Sequence, residues 1–207
     1  DLPQLGRDSR GRAIVNLLNL GEGEKVAACK AVRNFAEPEH YLIMATRRGV
    51  VKKTPLEQYG RPKKTGIIAI NLREDDELVR VIQTSGDDDV FMVSRNGMTI
   101  RFSEDDVRPM GRATAGVRGM RLRSAEDGVV SADVARDDAV LLFVSASGHG
   151  KRTPVGTFNR QGRGGQGVRG MKVTAERGAV VSALTIDSGT EVLVFSSSGN
   201  IVRVSAD

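Results

Sequence analysis

The chain is poor in the residues that most often carry chemistry. A single cysteine, Cys29, excludes an internal disulfide and any cysteine-cluster metal site, and is consistent with a reducing compartment. The two histidines, His40 and His149, lie 109 positions apart with no metal-ligand spacing around either. Tryptophan is absent and aromatics make up 4% of the chain, mostly inside apolar runs, which argues against single-strand binding on stacking platforms. Acid pairs fall only in polar turns, with no histidine or nucleophile beside them, so general acid–base catalysis is not expected. No apolar run reaches 18 residues and no signal-peptide pattern is present, so a soluble chain is expected. No stretch of ten residues shows a convincing helical period. Leu56–Tyr59 and Glu104–Val107 could each form one helical turn at most.

What the chain has instead is repetition. Gly116-Val117-Arg118-Gly119-Met120-Arg121-Leu122 recurs 51 residues later as Gly167-Val168-Arg169-Gly170-Met171-Lys172-Val173. Gly66 through Leu72 is a weaker copy, and Gly11 through Leu17 matches that copy. A turn glycine is followed four residues later by a cation at Lys53, Arg101, Arg152 and Arg203, with spacings of 48, 51 and 51. Short runs rich in Val, Ile, Leu and Phe precede each of these, bounded by Gly, Asn, Asp or Ser, as strands are. Ser94-Arg95-Asn96-Gly97 and Ser197-Ser198-Gly199-Asn200 supply hairpin turns. About four strands fit in each ~50-residue unit, which is the arrangement of a radially repeated all-β propeller. Residues 40–89, 90–139 and 140–190 read as whole blades, and 1–39 and 191–207 as partial ones. The expected object is one open or incomplete disc, cut from a longer protein.

Charge follows the same period. Net charge is +5, but residues 47–64 and 149–177 each carry seven Lys or Arg against one acid, and 95–123 carry seven against three. Acid collects at 74–77, 87–89 and 137–138. Radial repetition turns this into an expected basic rim with an acidic area away from it, suited to a polyanion. Candidate rim cations are Lys52, Lys53, Arg101, Arg152 and Arg203 on the strands. Lys63, Lys64, Arg112, Arg118, Arg160, Arg163, Arg169 and Lys172 join them from the loops. The densest glycine segment, Gln161-Gly162-Arg163-Gly164-Gly165-Gln166-Gly167, is expected to lie along a nucleic-acid backbone; a nucleotide fingerprint would need a helix after it, and a strand follows instead.

The repeated heptapeptide, the Lys-Lys-Thr and Lys-Arg-Thr strands and the glycine segment together resemble the C-terminal domain of the DNA gyrase A subunit, along nearly the whole chain. The resemblance implies a β-pinwheel, a propeller-like disc whose neighbouring blades exchange strands and whose basic rim wraps duplex DNA. It also implies two partners in the holoenzyme: the N-terminal cleavage domain of the same polypeptide and the gyrase B subunit. ATP and Mg2+ would be used elsewhere in that assembly, with no cofactor and no metal in this fragment. A bacterial cytoplasmic, nucleoid-associated location follows from the same likeness. The segment at 161–167 departs from the family's Gln-Arg-Arg-Gly-Gly-Lys-Gly signature, with Gly162 for Arg and Gln166 for Lys. The C subunit of topoisomerase IV is a near neighbour, and a propeller of the chromatin-condensation-regulator type has a similar period. In-phase basic loops favour gyrase.

Overall fold

The computed structural model describes residues 6, 9, 18, 20, 21, 23–63 and 65–205. The Gly11–Leu17 copy and Lys64 therefore lie outside the described residues. Four hairpins recur in phase: β1 (Tyr41–Thr46) with β2 (Val50–Pro55), β4 (Asp89–Ser94) with β5 (Met98–Ser103), β8 (Val140–Ser145) with β9 (Gly150–Pro154), and β12 (Glu191–Phe195) with β13 (Ile201–Ser205). A third strand pairs antiparallel on the first of each full unit: β3 (Leu78–Thr84) on β1, β7 (Val129–Ala135) on β4 and β11 (Val180–Ile186) on β8. The fourth strand comes from the next sequence block. The two-residue β6 (Val117–Arg118) completes the sheet β3-β1-β2-β6, and β10 (Val168–Arg169) completes β10-β5-β4-β7. Among the described residues the third sheet has three strands and the last has two, and the sheets do not close into a ring.

β7 packs against both β3 and β11, so these three strands line the inside while β6 and β10 mark the outer edge. The two expected helical turns appear as 3-10 turns at Leu56–Tyr59 and Glu104–Asp106. A third, Val155–Thr157, sits at the same place in the next unit; Gly156 in its centre hides it from a propensity reading.

The apolar runs of β1 and β4 are buried throughout because these strands are covered on both faces, whereas β12 and β13 are largely exposed. Along β4, Val90 and Met92 enter a core with Ile43, Val51 and Ile100, while Phe91 and Val93 enter a second core with Leu141 and Phe143. The repeated heptapeptide is what seals these cores. The N–H groups of Gly119 and Met120 both donate to the Gly49 carbonyl, at 2.9 and 3.0 Å. Those of Gly170 and Met171 donate to Gly97, at 2.8 and 3.1 Å. Met120 and Met171 then drop into the first and second core. Close approach requires the glycines. At Gly170 a Cβ would lie 2.5 Å from both Phe143 Cζ and Thr99 Oγ1; at Gly167, which has φ +71°, it would lie 2.2 Å from the Thr99 carbonyl oxygen.

Three cations expected on the rim are used inside the fold. Lys53 is 2% exposed and its Nζ sits 2.9 Å from Glu104 of the next blade. Glu104, fully buried, also accepts from the Thr84 hydroxyl and from the Gly86 and Asp88 N–H groups. Arg101 is clamped by Asp89 at 2.7 Å and Asp137 at 2.6 Å. The Lys52 Nζ donates to the carbonyls of Ala69 and Arg112, and the Tyr59 hydroxyl shares the Ala69 carbonyl. The expectation of DNA-facing side chains at Lys52, Lys53 and Arg101 is thus corrected. A charge on a strand whose faces are both covered must find a buried partner.

Three stability measurements by chemical denaturation follow. Gly167→Ala costs about 2 kcal/mol or more through strain and overpacking, whereas Gly162→Ala, which meets nothing within 4 Å, changes stability by less than about 0.5 kcal/mol. Lys53→Met strands the Glu104 carboxylate and costs about 3–5 kcal/mol. Burial, with the Arg112 guanidinium adding to it, pulls Lys52 from 10.5 down to about 8. Between those values the folded chain has released a proton that the unfolded chain still holds, so the Lys52 contribution makes stability rise with pH. The rise spans the interval from about 8 to 10.5 and is missing from Lys52→Met.

Candidate nucleic-acid interface

Each outer-edge strand carries one exposed arginine. In β6, Val117 pairs with Val51 and Arg118 with Val50; in β10, Val168 pairs with Thr99 and Arg169 with Met98. The glycines and methionine of each heptapeptide are consumed by packing, leaving its third residue, Arg118 or Arg169, exposed at the edge. Two hollows flank these arginines at matching places in successive blades. The first is lined by Arg48, Arg73 and Arg118, together with Asp75, Glu126 and Asp127. The second, about 360 Å³, is lined by Asn96, Met98, Arg123, Arg169, Lys172 and Val173. Each thus combines an edge-strand arginine with one that trails the preceding repeat: Arg73 with Arg118, then Arg123 with Arg169. No carboxylate lines the second hollow, and among the described residues Arg123, Arg169 and Lys172 take part in no ion pair. Converging guanidinium and ammonium groups without a counter-ion hold phosphate oxygens well.

Arg73, Arg95, Arg121 and Arg123 are absent from the cations picked out by sequence. A signal for them exists, since Leu72-Arg73 and Leu122-Arg123 are 50 residues apart at the end of the same phrase. Their hairpin and loop settings are likewise in phase.

The other expected residues divide. Lys63 is exposed, as is Arg152, which lies over an apolar groove beside Leu142 and Val194. Arg160 and Arg203 are exposed but paired, with Asp89 at 2.9 Å and with Glu191. Arg112 and Arg163 occupy equivalent positions and both reach back to the preceding repeat. Arg112 Nη1 donates to the Ile68 carbonyl at 2.9 Å, and Arg163 Nη1 to that of Arg118 at 3.1 Å. Arg163 Nε also donates to the Asp106 carbonyl at 2.7 Å. The glycine segment is held at Gln161 N–H to Arg101 O, 2.8 Å, and Gly164 N–H to Gly119 O, 2.6 Å, while Arg121 N–H donates to Gly165 O at 2.8 Å. It is an inter-blade seam whose outer side, with Gly162 and Gln166, is exposed.

Acid does not segregate from base as composition suggested. Arg47 pairs with Glu77, and Arg48 lies 3.7 Å from Asp75, beside the first hollow. Asp76 and Asp127 serve as turn caps in phase, accepting from the backbone N–H of Arg48 at 2.9 Å and of Asn96 at 3.0 Å. Burial alone would lower the Arg101 pKa, but Asp137 and Asp89 outweigh it and raise it; the same contact with Arg101 holds Asp137 below the usual carboxylate range. Among the described residues no three His, Cys, Asp or Glu side chains are grouped as a metal site.

The sequence matches the family described as "DNA gyrase C-terminal domain, beta-propeller" over residues 1–33, 40–85, 88–136, 139–187 and 190–207. It is 41% identical over 210 residues to the DNA gyrase A subunit of Streptomyces coelicolor, covering 98% of this chain and 24% of the relative. It is 43% identical over 203 residues to the DNA gyrase A subunit of Klebsiella oxytoca, covering 98% of this chain and 23% of that protein. The chain thus spans about a quarter of the length of these curated relatives. A solved DNA gyrase A C-terminal domain superposes with a TM-score of 0.84 at 27% identity, covering 95% of this chain and 65% of the other. The C-terminal domain of DNA topoisomerase IV gives 0.85 at 26% identity, covering 94% and 60%. Matched from repeat to repeat in sequence and in the arrangement of its sheets, the chain belongs to the DNA gyrase C-terminal domain family.

Proposed function

We propose that this chain binds duplex DNA along its outer edge and bends it, as the wrapping element of a gyrase A subunit. The single observation that carries this reading is the second edge hollow, where Arg123, Arg169 and Lys172 converge with no carboxylate among them. Together with Arg118 and Arg121 they form a series of exposed cations rising from consecutive outer strands. Bending 20–30 base pairs by 40–90° costs roughly 1–6 kcal/mol, so a wrapping surface needs its contacts spread along a path rather than gathered at one point. Strand exchange supplies that spread, because among the described residues the first two blades each receive their edge strand, and the arginine on it, from the next sequence block. Contacts of this kind go to phosphates and set position without reading sequence.

The rest of the assembly is inferred from the relatives. The chain would act with the cleavage domain of the same polypeptide and with the gyrase B subunit, in the bacterial cytoplasm and at the nucleoid. It would do no chemistry itself; strand passage, ATP and Mg2+ would belong to other parts of an ATP-dependent topoisomerase. The topoisomerase IV likeness supports a second reading of the same class, and the gyrase names of the curated relatives favour the first.

Fluorescence anisotropy with a labelled duplex across ionic strengths tests the proposal. If about six phosphates are engaged, the log–log salt slope is near −5, and duplexes of unrelated sequence bind alike. Arg169→Glu with Lys172→Glu lowers affinity about tenfold or more and flattens the slope by about 2, while Asp87→Lys does not weaken binding. A slope near zero, or equal losses from both changes, refutes the edge as the DNA face.

A further inference from the structure

The two edge hollows are built on one plan but differ at two in-phase positions. The N–H of Arg47 donates to the Glu77 carbonyl at 2.9 Å, and the N–H of Arg95 donates to the Gly128 carbonyl at 2.8 Å. The carbonyls of the same two arginines accept from Val129 at 2.8 Å and from Val180 at 2.9 Å. Arg47 and Arg95 are therefore equivalent, and so are Glu77 and Gly128. In the first blade the Glu77 side chain pairs with the Arg47 guanidinium. Arg48 is held as well, through Nε to the Asp75 carbonyl at 2.9 Å and Nη2 to the Asp75 carboxylate at 3.7 Å. In the second blade Gly128 offers no carboxylate, Asn96 stands at the position of Arg48, and Arg95 is exposed with no ion pair among the described residues.

We infer that the two hollows are unequal grips on DNA: the second, with the exposed Arg95 next in the chain to its lining residue Asn96, binds first, and the first is a reserve site whose Arg47 and Arg48 are occupied by Glu77 and Asp75 until a phosphate displaces them. The inference rests on the proposed DNA-binding reading and adds an order to it. Arg47 and Glu77 are both more than half exposed, 57% and 63%. An exchange of partners at such a pair meets little resistance, because exposed ion pairs are weak and screened. A carboxylate and a phosphate present the same bidentate oxygen geometry to a guanidinium, so one can replace the other. The second hollow has no such competitor and needs no exchange. The geometry also gives the wrap a direction of growth. DNA anchored beside Arg95 and Arg169 lies next to the first hollow at very high local concentration, which drives the exchange there.

A double-mutant cycle on the 207-residue chain, read by duplex titrations across KCl concentrations, tests this. Glu77→Gln should raise affinity about three- to tenfold and steepen the salt slope by up to about 0.9, because the phosphate then displaces no carboxylate that must take up a cation in its place. Arg47→Gln alone should weaken binding less than Arg95→Gln does, yet it should cancel the gain when combined with Glu77→Gln. Arg95→Gln should weaken binding about threefold or more and flatten the slope by about 0.9. A gain that persists in the Glu77→Gln/Arg47→Gln chain would mean that Glu77 acts only through its charge, and would overturn the inference. So would an Arg47→Gln loss as large as that of Arg95→Gln. Circular dichroism and melting of each variant separate these outcomes from misfolding, since the side chains changed are all exposed and absent from the cores. If the unmodified chain binds without salt dependence, it is the DNA-binding reading itself that fails.

Discussion

The architecture depends on one short contact, in which two consecutive backbone N–H groups converge on the carbonyl of a turn glycine in the preceding unit. Everything outside it can vary between units: the third residue of the phrase, the length of the loop before it, the charge of the turn. The contact itself cannot move, because it fixes where the following methionine enters the core and where the edge strand runs. A side chain at either glycine of the phrase would collide with backbone or with buried side chains of the preceding unit and the next, which explains why the phrase recurs almost unchanged while its surroundings drift. The spacing of the edge arginines Arg118 and Arg169 derives from repeating this one junction.

Much of the fold could be read in the sequence, since turn glycines, short apolar runs and a fixed period are local properties. The strand count per unit, the hairpins and two of the three short helical turns are visible in that way. The placement of charge was harder. Lys53 and Arg101 look like surface strand residues because their carboxylate partners, Glu104 and Asp137, lie 51 and 36 residues further along. The in-phase cations mark equivalent strand positions but not one surface: Lys53 and Arg101 are buried, Arg152 and Arg203 exposed. Ile43 faces Lys53 across the hairpin just as Phe91 faces Arg101, and both cations are covered by the next unit. Arg152 holds the same register opposite Leu142 and stays exposed. Register alone does not decide burial in this fold; the neighbouring unit does.

The glycine segment shows the complementary error. Its composition suggested an accessible loop, and part of it is accessible, but Arg163 and Arg112 spend their guanidinium donors on carbonyls of the unit before them. An arginine so engaged still carries its charge, so it adds to the field at the edge while holding two blades in phase. The exposed set along the two outer-edge phrases, Arg118, Arg121, Arg123, Arg169 and Lys172, is smaller than composition implied. Interspersed carboxylates such as Glu77 and Asp75 temper that field locally without abolishing it.

The alternating burial of β4 has a consequence for how the molecule transmits change. Phe91 and Met92 are covalent neighbours, yet each belongs to a different core; Met92 shares its core with the distant Met120, and Phe91 shares its own with the still more distant Met171. Disturbances should therefore add independently between adjacent positions of one strand and interact strongly between remote ones. Energetic kinship in this chain runs around the disc, and chemical adjacency is a poor guide to it.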